Sequence, residues 1–402
     1  MIDKNNLLIN SAIKELIYNP TLNEIFDARI EELEIPPTTA LDLIGIEYRA
    51  LQGILNGTAK RVDSTNFAKI ASFLKVSRDR VFALYMDELE KNFPESAPYP
   101  QNKIDFINKN FDLAALRKAN FIKNITDYKE IERRINKRFG FKSIFEYQPV
   151  KRGTAFSAGV TQPKNLQSRE FWIEGVIEAF KEFNNPFEYS REKLIKYIPL
   201  IRRQSKDVNK GLLIVIKELY KLGVTVLYQS PLSTLHLRGA TVVVNEKPCI
   251  VLTNYKGFYP TLWFALMHEL CHVLFDIEVI KANKYHISDE IPDEFQVAEK
   301  ENQANDFARE YFFGKEKTLI VRPHINNQSF IYDFASQSDV HPSFIYVFHA
   351  FYGSKDDKRA WTKAQLHNPD FNNLIDPLDL KWTDDKSISE YISSLKSNNI
   401  YN

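Results

Sequence analysis

Three prolines within seven positions, Pro94, Pro98 and Pro100 in FPESAPYPQN, forbid a helix from running through that stretch and make it the clearest break in a chain of 402 residues. Upstream of the break, residues 22–90 alternate short amphipathic runs with turn signals: LNEIFDARIEEL, TTALDLIG, EYRALQGILNG, DSTNFAKIASFLKV and SRDRVFALYMDEL. Asp63 and Ser77 stand where N-caps belong and Gly57 closes the third run, so five short helices are expected in about seventy residues.

Beyond the prolines, helical patterns dominate from 103 to 222, as in ITDYKEIERRINKRF and SKDVNKGLLIVIKELYKLG, with the polar loop VKRGTAFSAGVTQPKNLQSRE between them. The period then changes. VTVLY, ATVVV and CIVLT, between 224 and 253, are β-branched runs bounded by turn residues, which predicts a small sheet. Two further helices follow, through LMHELCHVLF and AEKENQANDFAREYFF, and then a helical pair near 328–352. The fold class expected is α+β: an all-α five-helix N-terminal part, a helical middle region, and a C-terminal part built on a small sheet. At 44% hydrophobic residues the chain can fill such cores.

Charge and cysteine usage exclude several function classes. A net charge of +1 gives no global field toward nucleic acid or anionic lipid, so any such attraction is local. Cys249 and Cys271 are the only cysteines, and MIDKNNLLINSAIKEL lacks a basic leader followed by a long apolar run, so a cytoplasmic protein without a disulfide framework is expected. No apolar run approaches the roughly 18 residues of a membrane span.

Within LMHELCHVLF, His268, Glu269 and His272 read H-E-x-x-H. On a helix, at about 100° per residue, the two histidines lie some 40° apart on one face with the carboxylate beside them. Leu266, Met267, Leu270, Val273 and Leu274 occupy the other side and can anchor the helix in a core. Chance produces the pattern in roughly one chain of this composition in a hundred. A zinc site needs a third protein ligand. Glu301 is the best candidate: Glu301, Ala304, Asn305, Ala308 and Phe312 form one helical stripe whose alanines allow close approach, with Asn305 placed to orient a ligand. Asp276, one turn beyond His272, competes for the role, and Glu301 read alone is also an ordinary solvated carboxylate.

HELCH followed by E-x-x-A-N-x-F-A after a short sheet resembles the ImmA/IrrE family of zinc metallopeptidases over about residues 206–350. The resemblance implies a zincin-like fold in which His268, His272 and Glu301 hold Zn2+ and Glu269 is the catalytic acid/base. It also implies cleavage of a transcriptional repressor or antitoxin in stress response or mobile-element control. Many members carry Gly where this chain has Cys271, whose thiol could reach the metal, although a buried cysteine more often serves as a small hydrophobe. A charged intermediate needs a further donor, for which His341, in an H-P pair, and Arg238, in LHLRGAT, are candidates. Each has a bland alternative, a helix N-terminal residue and a surface turn. A substrate peptide is expected to add as a strand along Cys249, Ile250, Val251, Leu252 and Thr253.

The N-terminal helices, with Gly45 at the turn between TTALDLI and IEYRALQGIL, resemble an Xre-type, lambda-repressor-like helix-turn-helix over 22–88. The recognition helix would be 47–56, presenting Tyr48, Arg49, Gln52 and Asn56 to the major groove of an operator duplex. Residues 22–47 hold one basic residue against seven acidic, whereas 49–80 hold seven basic against two acidic, which places Lys60 and Arg61 near phosphate. The expected layout is 1–90 DNA-binding domain, 91–102 linker, 103–205 helical scaffold, 206–355 metallopeptidase and 356–402 C-terminal extension. A homodimer is compatible with it. Two other readings fit the same residues: a DNA-binding repressor or antitoxin whose zincin domain senses or assembles, and a peptidase whose N-terminal helices dock a protein substrate.

Overall fold

The computed structural model describes residues 20–93, 99–149, 165–233, 235–283, 285–289, 295–353, 355, 357–397 and 401. The N-terminal stretch read for a leader, Pro94 and Pro98 of the linker, and residues 150–164 of the polar loop at 150–170 lie outside them. The chain divides into two compact units, Met1–Pro100 and Gln101–Asn402.

The first unit consists of α1 (Leu22–Glu32), α2 (Pro37–Ile44), α3 (Tyr48–Leu55), α4 (Ser64–Leu74) and α5 (Arg78–Asn92). Local chemistry sets the boundaries. Thr21 and Glu24 form a capping box, Asp63 and Ser77 cap α4 and α5, and Gly45 ends α2 in the left-handed conformation at φ +66. Phe26, Ile44, Leu51, Ile54, Ile70 and Val81 meet in one apolar core. Gly57 is required on two counts: its φ is +63, and a Cβ there would sit 2.4 Å from the backbone carbonyl carbon of Glu88. Gly45 shares the positive φ, but a Cβ at that position would have nothing within 4 Å. Gly57→Ala should therefore destabilise this unit by at least ~2 kcal/mol and Gly45→Ala by only ~1 kcal/mol. Amide hydrogen exchange of the core helices in the full chain measures both.

In the second unit, α6 (Tyr128–Phe139), α7 (Leu166–Phe183) and α8 (Gly211–Lys221) precede β1 (Thr225–Tyr228), β2 (Leu237–Val244) and β3 (Lys247–Leu252). Then come α9 (Tyr259–Phe275), α10 (Ile277–Asn283), β4 (Tyr285–Asp289), α11 (Phe295–Phe313), α12 (Pro342–Gly353), α13 (Ala360–Leu366) and α14 (Ile388–Ser397). The class is mixed α+β, mostly helical around a single four-stranded sheet among the described residues.

Sheet order is β1-β3-β2-β4, with β1 parallel to β3 and the other pairs antiparallel. β2 and β3 form a hairpin whose two turn residues, Asn245 (φ 51) and Glu246 (φ 62), both adopt the positive φ of a type I′ turn. β3 is an interior strand. Cys249, Ile250, Val251 and Leu252 pair with β1 on one side and β2 on the other, and the Thr253 amide donates to the Arg238 carbonyl. Addition of a peptide along 249–253 is thereby corrected, because those backbone groups are already satisfied. Among the described residues the edge strands are β1, whose outer side carries a single bridge at Tyr228, and β4, which sequence reasoning did not anticipate.

Residues 356–402, read from sequence as an extension, belong to the packed body of this unit. Asp379 bridges Tyr228 at the outer side of β1, and the Leu380 amide donates to the Tyr228 carbonyl at 3.3 Å. Buried Arg134 and Arg138 on α6 donate to the carbonyls of Trp382 and Leu380 at 3.1 and 3.0 Å. α14 packs on α7, and the Tyr401 hydroxyl donates to the Val226 carbonyl at 2.7 Å. The scaffold and metallopeptidase regions expected at 103–205 and 206–355 share that body.

Among the described residues, no helix is long and apolar enough to cross a membrane.

Candidate metal centre

α9 lies on the face of the sheet against β2 and β3 and packs against α11. Its burial is almost complete: Thr261 and Phe264 are half-buried, and only Phe275 is exposed. The polar edge expected to line an open cleft is instead enclosed, with His268, Glu269 and His272 at 0%, 0% and 1% exposure. Ala304 and Ala308 of α11 are buried against this neighbourhood, which lets Glu301 reach it at 3% exposure.

The imidazole Nε2 atoms of His268 and His272 are 3.2 Å apart. Glu301 brings Oε2 to 3.3 Å from the His268 atom and Oε1 to 3.3 Å from the His272 atom. These three residues form a buried group able to hold a metal ion, their ligand atoms all within 4.8 Å of one another. Asp276 is not part of it. Its carboxylate meets His272 at the opposite ring nitrogen, Nδ1, at 2.9 Å, and pairs with Lys300 at 2.6 Å. Asp276 therefore orients the ring and leaves Nε2 to face the group.

Sheet register supplies four residues that sequence reasoning missed. Thr241 on β2 is opposite His286 on β4, and Gly239 is opposite Ser288, so all four lie on one face. Thr241 donates its hydroxyl to Glu269 Oε2 at 2.7 Å, Ser288 Oγ is 3.2 Å from His268 Nε2, and His286 Nε2 is 2.6 Å from Glu301 Oε1. Gly239 permits the approach: a Cβ there would stand 2.9 Å from Glu269 Oε1. The signal available in the sequence was the alternation of Tyr285 and Ile287 with His286 and Ser288, a period-2 pattern.

Electrostatics follow from these contacts. Burial alone would lower the His272 pKa, but its bonds to Asp276 and Glu301 prevail and raise it to about 9. Burial likewise opposes ionisation of Glu301, yet hydrogen bonds from His268, His272 and His286 hold its carboxyl well below the usual range. Cys271 is pushed up to about 12 by burial and then by Asp276, Glu269 and Glu301, so in the absence of a metal the thiol stays protonated. Glu269 Oε1 and His268 Nδ1 are buried without a hydrogen-bond partner among the described residues.

Two candidates fall elsewhere. His341 sits against Tyr259, at the opposite end of α9, with ring centroids 5.7 Å apart, and its Nδ1 accepts the Ser343 amide at 3.2 Å. Nine residues of helix, or ~13 Å, separate Tyr259 from His268. His341 thus caps α12 and packs on an aromatic ring, which corrects its catalytic assignment. Asn305 accepts from the Arg238 guanidinium at 3.0 Å. Its side-chain oxygen is thereby committed to Arg238, one turn from Glu301, and the contacts placed to orient a metal ligand are those of Asp276 with His272 Nδ1 and of His286 with Glu301 Oε1.

On the first unit, Tyr48, Arg49, Asn56, Lys60 and Arg61 are exposed and Gln52 is half-buried. Asn56 donates to Gln52 Oε1 at 2.9 Å, and the Lys60 ammonium lies 4.3 Å from the Phe93 ring. No known protein family, curated protein or solved structure matches the chain.

Proposed function

We propose that residues 101–402 form a zinc-dependent endopeptidase of the kind the ImmA/IrrE resemblance implies, acting on a repressor- or antitoxin-type protein, and that residues 22–88 bind duplex DNA. The observation that carries the peptidase reading is Glu269: a fully buried carboxylate beside three metal-capable ligands, with one oxygen held by Thr241 and the other unsatisfied. A buried carboxylate left half-bonded is costly in a purely structural role and useful in one that accepts a proton. Zinc as the metal is supported by the spacing, since donors on a tetrahedron with ~2.0–2.1 Å bonds stand ~3.3–3.4 Å apart.

His268, His272 and Glu301 would hold the ion, which when bound supplies Lewis-acid polarisation of a peptide carbonyl and acidifies water. Glu269 takes the proton of the attacking water and returns it to the leaving amine. Thr241 fixes one carboxylate oxygen and leaves the other, beside Gly239, to take the proton. An extended peptide would pair along the open edge of β4, where the His286 side chain, 20% exposed, is the most accessible imidazole of the group. The test is cleavage of a repressor encoded beside this gene, or of the chain's own 94–100 stretch, by the unaltered and Glu269→Gln proteins.

A sensor or scaffold without proteolysis draws on one observation, the near-total enclosure of the three ligands, which suits a closed structural site. The Glu269→Gln protein separates the two.

For the DNA reading, the support is the surface made by exposed Tyr48 and Arg49 and half-buried Gln52 on α3 with exposed Asn56 at its C-cap, flanked by Lys60 and Arg61. Gln52→Ala should relax sequence preference, whereas Lys60→Ala and Arg61→Ala should each weaken binding to all duplexes and reduce the salt slope by about one. Titration of the full-length protein with fluorescent duplexes at several salt concentrations measures this. Absence of duplex binding at low salt would favour a helical module that docks a protein.

A further inference from the structure

The two helices that carry the metal-capable group continue past it and bound a second space. Phe264 stands one turn before His268 on α9, and Asn305 one turn after Glu301 on the antiparallel α11. Both line a cavity of about 140 Å³. The Phe264 ring is 6.0 Å from the His268 ring, centroid to centroid, so the cavity adjoins the metal ligands.

Its chemistry is unlike that of an ordinary core void. Phe348, Phe351 and Trp361 make its walls apolar, yet Arg238, Lys256 and Arg309 also line it and, among the described residues, no acidic one does. Arg309 is paired with Asp306 at 2.6 Å. Arg238 has no carboxylate partner among the described residues: it donates to the neutral Asn305 oxygen at 3.0 Å and lies 6.0 Å from the Phe264 ring. A guanidinium held in place by an amide keeps further N–H donors for an anion, in the fork geometry that suits a carboxylate. Size limits the rest of the ligand. An apolar cavity of roughly 150 Å³ accepts benzene, so this one accepts a single aromatic ring.

We propose that this cavity binds an aryl carboxylate, its ring between Phe264, Phe348, Phe351 and Trp361 and its carboxylate on Arg238. Two sources present that chemistry: a free arylalkanoic acid, and the C-terminal aromatic residue of a peptide. The second rests on the peptidase reading; the site itself does not.

Calorimetric titration of the full-length protein with 3-phenylpropionate and 3-phenylpropionamide tests the site without turnover. The acid should bind at least about 10-fold more tightly than the amide, as expected for a charge-assisted bond. Arg238→Gln should abolish that preference, and Glu301→Ala, which disables the metal site, should leave it intact. Equal binding of acid and amide, or binding of neither, overturns the proposal. So does a preference that survives Arg238→Gln and disappears in Glu301→Ala, since the acid is then bound by the metal. N-acetylglycyl-phenylalanine, titrated into the Glu269→Gln protein, identifies the source. Affinity more than about tenfold above that of 3-phenylpropionate assigns the site to a peptide end, and equal or weaker affinity to the free acid. These binding readouts stand whether or not the protein cleaves peptides.

Discussion

In the proposed peptidase, the Glu269→Gln protein should fold, retain about one zinc per chain, and cleave a protein substrate at least ~100-fold more slowly than the unaltered protein. The amide keeps the size of the side chain, and its oxygen can still accept the Thr241 hydroxyl, so the packing around a residue at 0% exposure is preserved. What is lost is the capacity of the free oxygen to take a proton. Glu269 lies outside the group of residues positioned as ligands, so metal content should not follow activity. Elemental analysis and a cleavage assay on one preparation measure both. If the substituted protein still regulates its promoter as well as the parent does under the inducing condition, proteolysis is not the mechanism.

Glu301→Ala should reduce bound zinc to well below one per chain, while Asp276→Ala should keep the metal with affinity lowered ~10–100-fold. The difference comes from which imidazole nitrogen each carboxylate meets. Glu301 approaches the Nε2 atoms of both histidines at 3.3 Å, whereas Asp276 is bonded to Nδ1 of His272, across the ring. One histidine cannot present both edges to the same ion. Removing Asp276 frees the ring to rotate and leaves Lys300 unpaired with it, but the three donors remain. Zinc lost with Asp276 and kept without Glu301 would move the third ligand to Asp276.

What was legible in the sequence is what local periodicity encodes. His268 and His272 share a helical face whatever surrounds them, and the stripe from Glu301 through Ala304 and Ala308 identifies a close-packing helix before its partner is known. The caps at Asp63 and Ser77 were legible for the same reason, since each side chain bonds an amide two or three residues away. Strand order was not. Placing β3 in the interior depends on the parallel pairing of Thr225 with Cys249, which no neighbouring residue signals. β4 is five residues long and its partner Thr241 lies far upstream of His286, so its alternation was too short to stand out. His341 shows the converse: an H-P pair reads the same whether the imidazole caps a helix or serves a site, and only the position of Tyr259 decides. The Arg238–Asn305 bond joins residues 67 positions apart and was equally beyond local reading.

The stretch that covers the outer side of β1 has a consequence for biosynthesis. Val226 and its partner Tyr401 are separated by 175 residues. At ~5–20 residues per second, the ribosome delivers the second of them roughly 10–35 s after the first. During that interval the backbone of β1 and the Ser230 carbonyl lack Asp379, Leu380 and Trp382, and the sheet beneath α9 presents an unpaired border to other nascent chains. The histidine helix is therefore synthesised well before the body that supports it is closed, and aggregation and chaperone capture compete with folding until residues 379–401 arrive.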